Sequence, residues 1–386
     1  MNDLNKRSLL KLAAFTAVAS AALIGCGKKE EAAAPAAAPA APAPVAAAPA
    51  PATAAPLNIA FAYVGPVGDG GWSFAHDNAR KALEKEFGDK IKTTFVESVP
   101  EGADAERVFR DFVSQGNKLI FGTTFGYMEP MLKVAADNKD VKFEHATGFK
   151  TAPNVGTYNS RFYEGRYIQG QIAAKQSKAG VAGYIVSFPI PEVVMGIDAF
   201  MLGAQSVNPD FKVKIIWVNS WFDPAKEADA AKALFDQGVD IITQHTDSPA
   251  PLQIAQERGL HGFGQAHDMI QFAPKAQYTA IVDTWGPYYE KRINAVLDGT
   301  WKPEQSWDGL KDGIMQMAPY TNLPDDVVAM AKKTQADIES GAVHPFKGPI
   351  VKQDGTEVIP AGQNLDDGTL LGLNWYVKGI DDKLPQ

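Results

Sequence analysis

The chain has 386 residues, 45% of them hydrophobic and 21% charged, with a formal net charge of −8. That length exceeds what one hydrophobic core usually supports, so about two globular lobes plus an accessory segment are expected, and the composition is that of a folded protein rather than a disordered one. Lys and Arg gather into no basic stripe and the balance is acidic, which argues against a nucleic-acid partner.

The first residues carry an export signal. Lys6, Arg7 and Lys11 supply a positive start, and the apolar run over residues 12–24 is too short to span a bilayer comfortably. Residues 1–25 therefore read as a signal peptide. The run ends in Leu23-Ile24-Gly25-Cys26, which resembles the lipobox of bacterial lipoproteins, where the cysteine is diacylated and becomes the mature N-terminus. Cys26 is the only cysteine, which excludes a disulfide within the chain; its alternative reading is a stray buried thiol. Residues 26–56 hold a short charged patch and then an Ala/Pro stretch without aromatics, the composition of an extended spacer of about 3 Å per residue. The expected location is outside the cytoplasm, membrane-anchored and facing the periplasm or cell exterior.

From Leu57 onward, short apolar runs alternate with segments of helical spacing. Strands are expected near residues 57–64, 92–97, 118–121, 142–145, 181–186, 213–218, 240–244, 262–265 and 278–282. Such alternation predicts an α/β fold of two doubly wound parallel sheets, with helices on both faces. The chain is expected to cross between lobes near residues 158–162 and 283–287. Beyond residue 319 the alternation lapses into a helix over 325–339 and a hairpin turning at Asp354-Gly355, a tail expected to pack across the hinge.

In open parallel sheets, ligands bind at the carboxyl ends of strands, so the loops that follow strands carry the functional reading. Here they are rich in aromatics. Trp72 and Ser73 close a Gly-rich loop after the first strand, Phe125 follows the third, Ser187 and Phe188 follow a later one, and Trp221 and Phe222 another. Asp247 and Asp268 each follow a strand and are placed to accept hydrogen bonds in an otherwise apolar pocket. Flat rings with a few carboxylates suit a planar, NH-rich ligand. The same residues have plainer readings: Trp72, Trp221 and Phe125 as core, Asp247 and Asp268 as helix caps, and Phe188, Phe222 and Tyr127 as supporting packing.

Enzyme signatures do not appear: there is no Gly-x-Ser-x-Gly elbow and no His-Glu-x-x-His pair. His245 near Asp247 and His267 beside Asp268 sketch a metal or acid–base site, but no third ligand follows at a diagnostic spacing, so neither metal nor cofactor is expected. The Gly65–Gly71 loop lacks the third glycine of a dinucleotide fingerprint and the lysine of a P-loop. No helix-turn-helix precedes the first strand.

Seven stretches then resemble one family: Gly68-Asp-Gly-Gly-Trp-Ser-Phe-Ala-His76, Phe125-Gly-Tyr-Met-Glu-Pro130, Phe143-Glu-His-Ala-Thr-Gly148, Arg161-Phe-Tyr-Glu-Gly-Arg166, Trp221-Phe-Asp-Pro-Ala-Lys226, Gln244-His-Thr-Asp-Ser-Pro249 and Trp285-Gly-Pro-Tyr-Tyr289. The chain resembles, over residues 57–386, the basic membrane protein family of ABC-transporter substrate-binding lipoproteins, which includes purine-nucleoside receptors. The resemblance implies the type I periplasmic-binding-protein fold, with an N-terminal lobe over residues 57–160, a C-terminal lobe over 161–283, and a return to the first lobe and hinge over 284–386. It implies that Trp72 and Trp221 stack on a base, and that Asp268 accepts its N–H groups. A lysine that contacts ribose in the nucleoside-binding branch has no counterpart around Ala280–Asp283, so a free base such as adenine is expected ahead of a nucleoside. The implied partners are a small purine ligand, an ABC permease and the membrane through the lipid anchor, with the protein itself a monomer. The competing classes are a ligand sensor or surface lipoprotein, and an enzyme such as a nucleoside hydrolase.

Overall fold

The computed structural model describes residues 55–385; the expected signal peptide, Cys26 and all but the end of the spacer lie outside the described residues. The chain begins with β1 (Leu57–Ala62), α1 (Trp72–Phe87), β2 (Ile91–Val96), α2 (Ala103–Ser114), β3 (Leu119–Gly122), α3 (Met128–Asp137), β4 (Lys142–Ala146) and β5 (Val155–Ser160). It continues through α4 (Phe162–Gln176), β6 (Val181–Val186), α5 (Pro191–Gln205), β7 (Lys212–Trp217), α6 (Pro224–Asp236), β8 (Ile241–His245), α7 (Ala250–Glu257), β9 (His261–Gly264) and β10 (Gln277–Asp283). The last part holds α8 (Gly286–Leu297), β11 (Gln305–Asp308), β12 (Met315–Met317), α9 (Asp325–Glu339), β13 (Ile350–Val351), β14 (Glu357–Ile359) and α10 (Asp367–Leu371).

Two sheets of six strands result, in the orders β11-β5-β4-β3-β1-β2 and β12-β10-β9-β8-β6-β7. The first is parallel throughout; in the second only β12 runs antiparallel, against β10. Setting aside β11 and β12, the second sheet repeats the order of the first. The inner strands are apolar because they are covered on both faces: β3 is Leu-Ile-Phe-Gly with every residue buried. Edge strand β2 is half exposed and mixes Lys and Thr with its apolar residues.

The chain passes between the sheets three times: from β5 into α4, from β10 into α8, and from β11 into β12. One buried cluster spans these passages, joining Phe61, Phe121 and Tyr158 of the first sheet to Phe162, Ile281, Trp285 and Tyr289. Separate clusters around Phe112 and Leu234 fill the outer faces of the first and second sheets. This is the expected α/β architecture of two doubly wound lobes joined by hinge segments.

Some elements differ from the sequence reading. Residues 158–162 were expected only as a crossing, yet the chain there first completes β5, whose sequence Val-Gly-Thr-Tyr-Asn-Ser is fully buried without being an apolar run. The edge strands β11 and β12, of 4 and 3 residues, are too short to show periodicity. The helix over 325–339 and the hairpin at Asp354-Gly355 are both present, Gly355 supplying the positive φ of 89° that the turn requires. The tail lies on the second lobe: α9 packs on α4, Val377 N donates to Asp198 Oδ1 (3.0 Å), and Ile380 bridges to Val213. Asp367 also pairs with Arg161 (2.6 Å), the residue at the first crossing.

Candidate functional site

Strand order reverses between β1 and β3 in one sheet and between β6 and β8 in the other. Crevices outside the carboxyl ends at such points are where ligands bind in this kind of sheet. A cavity lies there, lined by both lobes. The first lobe lines it with Val64 and Trp72 after β1, Thr124 and Phe125 after β3, and Thr147 after β4. The second lobe supplies Glu192 at the start of α5, Trp221 after β7, His245 and Asp247 at the end of β8, and Gln265 after β9.

Trp72 is held in a fixed attitude. It opens α1, whose first backbone N–H groups are collected by one carboxylate: Asp69 accepts from Gly71 N (2.9 Å), Ser73 N (2.8 Å) and Phe74 N (3.0 Å). Burial raises the Asp69 carboxyl, and those three donors oppose the rise. The Trp72 indole Nε1 donates to Thr123 O (2.6 Å), and its ring meets Trp285 edge-on at 5.4 Å and His76 at 4.5 Å. A residual exposure of 9% leaves part of the ring on the cavity wall.

Trp221 faces the cavity from the other lobe. Its ring rests on Phe188, with centroids 5.2 Å apart, and its Nε1 donates to Glu101 Oε1 (3.2 Å), a residue of the first lobe. Glu101 Oε1 also accepts from Thr124 Oγ1 (2.7 Å) and Gly126 N (3.2 Å), so one carboxylate joins the loop that carries Phe125 to Trp221. Three further contacts bridge the lobes: Phe74 meets His267 edge-on at 4.7 Å, Gly70 lies against Pro249 and Phe272, and Gly71 touches the backbone of Asp247. The lobes are closed on each other.

The polar floor is rich in acids. Asp247 is buried, and only its backbone N–H is anchored, to Trp221 O (3.0 Å); no hydrogen bond stabilises its carboxyl, which burial pushes well above the usual carboxylate range with Asp69, Glu227 and Asp283 adding to the shift. His245 is held below its ordinary range by burial, its Nε2 lies 3.5 Å from Glu192 Oε1, and its Nδ1 has no partner. Glu192 Oε2 accepts from Asn159 (2.9 Å). Arg166 fixes the Gln265 amide by donating to its Oε1, leaving the NH2 end as the donor Gln265 offers.

Of the residues expected from sequence, Trp72, Phe125, Trp221 and Asp247 come together on this wall. Ser73, Ser187 and Asp268 do not. Ser73 is buried with its Oγ accepting from Gly65 N (3.1 Å), which closes the β1–α1 loop. Ser187 is buried with an unpartnered hydroxyl, and Asp268 Oδ1 accepts from Ile270 N (3.1 Å) and Gln277 Nε2 (2.6 Å), bracing its own loop. Glu192, Gln265, Thr147 and Glu101 were not anticipated; Thr124 sits beside an anticipated aromatic, but the others carry no sequence signal of their own. Among the described residues no group of three or more His, Cys, Asp or Glu side chains is arranged to hold a metal ion, and no helix is long and apolar enough to cross a membrane.

The purine-binding protein of Brucella abortus (strain 2308) is 65% identical over 330 residues, covering 86% of this chain and 94% of that protein. A Haloferax volcanii protein provisionally named an ABC transporter glucose-binding protein is 35% identical over 330 residues, covering 85% of this chain and 81% of that one. A solved ABC transporter solute-binding protein from Aeropyrum pernix K1 superposes with a TM-score of 0.66 at 18% identity, over 82% of this chain and 95% of its own, and so supports the type I periplasmic-binding-protein fold. The model of the Bmp family, described as ABC transporter substrate-binding protein PnrA-like, matches residues 57–346. The chain thus belongs to the Bmp, PnrA-like family of ABC transporter substrate-binding proteins.

Proposed function

We propose that this protein captures a free purine base, adenine ahead of the others, and presents it to an ABC permease. The observation that carries the reading is a cavity walled by Trp72, Phe125 and Trp221 with the unpaired carboxyl of Asp247 on its floor. Aromatic faces suit a flat heterocycle, and an acceptor left without a donor suits its N–H groups. Ligand N–H groups favour the ionised form of Asp247, and a base that turned a carbonyl toward that form would leave both acceptors unpaired, at a cost of roughly 1–3 kcal/mol. The Brucella abortus relative's name, purine-binding protein, supports the same reading.

Binding is reversible and involves no chemistry. Trp72 and Trp221 belong to different lobes, so a ring stacked between them gains both contacts only in the closed form and shifts the balance toward it. The closed monomer is the shape a permease reads. Diacylation at Cys26, with residues 27–56 as spacer, keeps the domain at the membrane that holds the permease.

Calorimetric titration of residues 57–386, unfolded to strip carried-over ligand and refolded, tests the reading. The ligands are adenine, guanine, xanthine, adenosine, ribose and glucose. Adenine should bind tightest, and Trp221→Ala should weaken it by about 1–3 kcal/mol, roughly 5- to 150-fold, the usual worth of one stacked base. Binding of nucleosides alone would replace the base with a nucleoside, and binding of glucose alone would discard the purine.

A further inference from the structure

The carboxyl of Asp283 is costly to leave as it stands. Both of its oxygens are buried and neither has a hydrogen-bond partner. Burial pushes it well above the usual carboxylate range, with Glu192 adding to the shift and Arg166 opposing it. Arg166 forms no ion pair with it, since the guanidinium donates instead to Gln169 (3.1 Å), Thr243 (3.3 Å) and Gln265. A buried polar group without a partner costs about 1–3 kcal/mol, and a charged one more, so its retention calls for a function.

Register shows which way Asp283 faces. Ile241 pairs with His261, and Ala280 with Gly264. Counting on by alternate residues sets His245, Gln265 and Asp283 on one face of the second sheet, at the carboxyl ends of three adjacent strands. His245 and Gln265 line the cavity; Ile281 of β10 is level with Gln265, and Asp283 lies one alternation beyond Ile281 on the same face, beside the lining rather than in it. It also ends the strand that leads into the second crossing. Its N–H donates to Ala266 O (2.9 Å), and that of Thr284 donates to Ile314 O (2.8 Å), in the segment of the third crossing.

We propose that Asp283 is a second ligand-recognition residue, whose carboxyl accepts an N–H group of the bound base at the hinge end of the cavity. This rests on the reading of the cavity as a purine site. With Asp247, the site then offers two carboxyl acceptors to a ligand with two N–H-bearing groups, the pattern of an aminopurine with one exocyclic amino group and one ring N–H. Hydrogen bonds from those groups favour the charged carboxylate and offset its burial, so the ligand supplies what the fold withholds. Because Asp283 borders two crossings, the same bond also ties the ligand to the hinge.

The test titrates wild type and Asp283→Asn with adenine, with unsubstituted purine, which lacks the amino group, and with 9-methyladenine, which lacks the ring N–H. Adenine should bind the variant about tenfold or more weakly. The penalty for deleting one of the two N–H groups, large in wild type, should shrink to within about twofold in the variant. The ligand-free variant should melt no lower than wild type, because a neutral amide of the same shape replaces a carboxyl that already lacks a partner, and Asp283→Glu, which moves the carboxyl by one methylene, should show the same loss of discrimination should the first variant fold poorly. Adenine affinity within about twofold of wild type, or unchanged penalties for both deletions, would overturn the role of Asp283 alone. Wild type that binds none of the three overturns the purine reading together with it.

Discussion

Asp268 and Asp247 both follow a strand of the second sheet, and their surroundings separate them. Asp268 already serves two donors, Ile270 N and Gln277 Nε2, whereas no hydrogen bond stabilises the Asp247 carboxyl. Asp268→Ala should therefore leave adenine affinity within about twofold while lowering stability by the worth of about one hydrogen bond, on the order of 1 kcal/mol; a large loss of affinity in calorimetry would return Asp268 to the site. Aromatic residues after apolar runs, such as Trp72 and Trp221, announce themselves in a sequence because few other reasons place them in Gly- and Asn-rich loops. Gln265 and Asp283 announce nothing. A polar residue at a strand end becomes a site residue only through the pairing that lines it up with its neighbours, and register is a property of the folded sheet.

Elements were readable where burial imposes a period. The strands covered on both faces appear as apolar runs, and α9 emerges with its own bounds because one stripe, including Val327, Ala331 and Ile338, is buried. β5 fails that test because its Thr157, Asn159 and Ser160 are buried in the wall between the lobes, where Asn159 donates to Glu192. The start of α1 is the element most tied to binding, since its first residue is Trp72. Asp69→Ala removes the acceptor for three backbone N–H groups there and should destabilise the domain by about 1–2 kcal/mol, read as a lower urea midpoint with an unchanged m-value. An unaltered midpoint would mean that water replaces the cap at no cost.

At the scale of the whole molecule, the two lobes meet closely at a glycine. A Cβ on Gly71 would lie 2.5 Å from the carbonyl oxygen of Asp247, and a backbone atom cannot swing aside as a side chain can. Gly71→Ala should hold the lobes apart while each keeps its fold, so that saturating adenine no longer reduces the radius of gyration in X-ray scattering and affinity falls with closure. Normal compaction by the variant would show that the lobes close along another path. The cavity wall has one more consequence, an optical one. Two of the chain's seven tryptophans, Trp72 and Trp221, form that wall from opposite lobes, and the others include Trp285, buried directly behind Trp72. On the proposed stacking, a heterocycle entering between the two indoles should change their emission at the moment of capture, so the unlabelled protein should report its own occupancy and the rate of its closure.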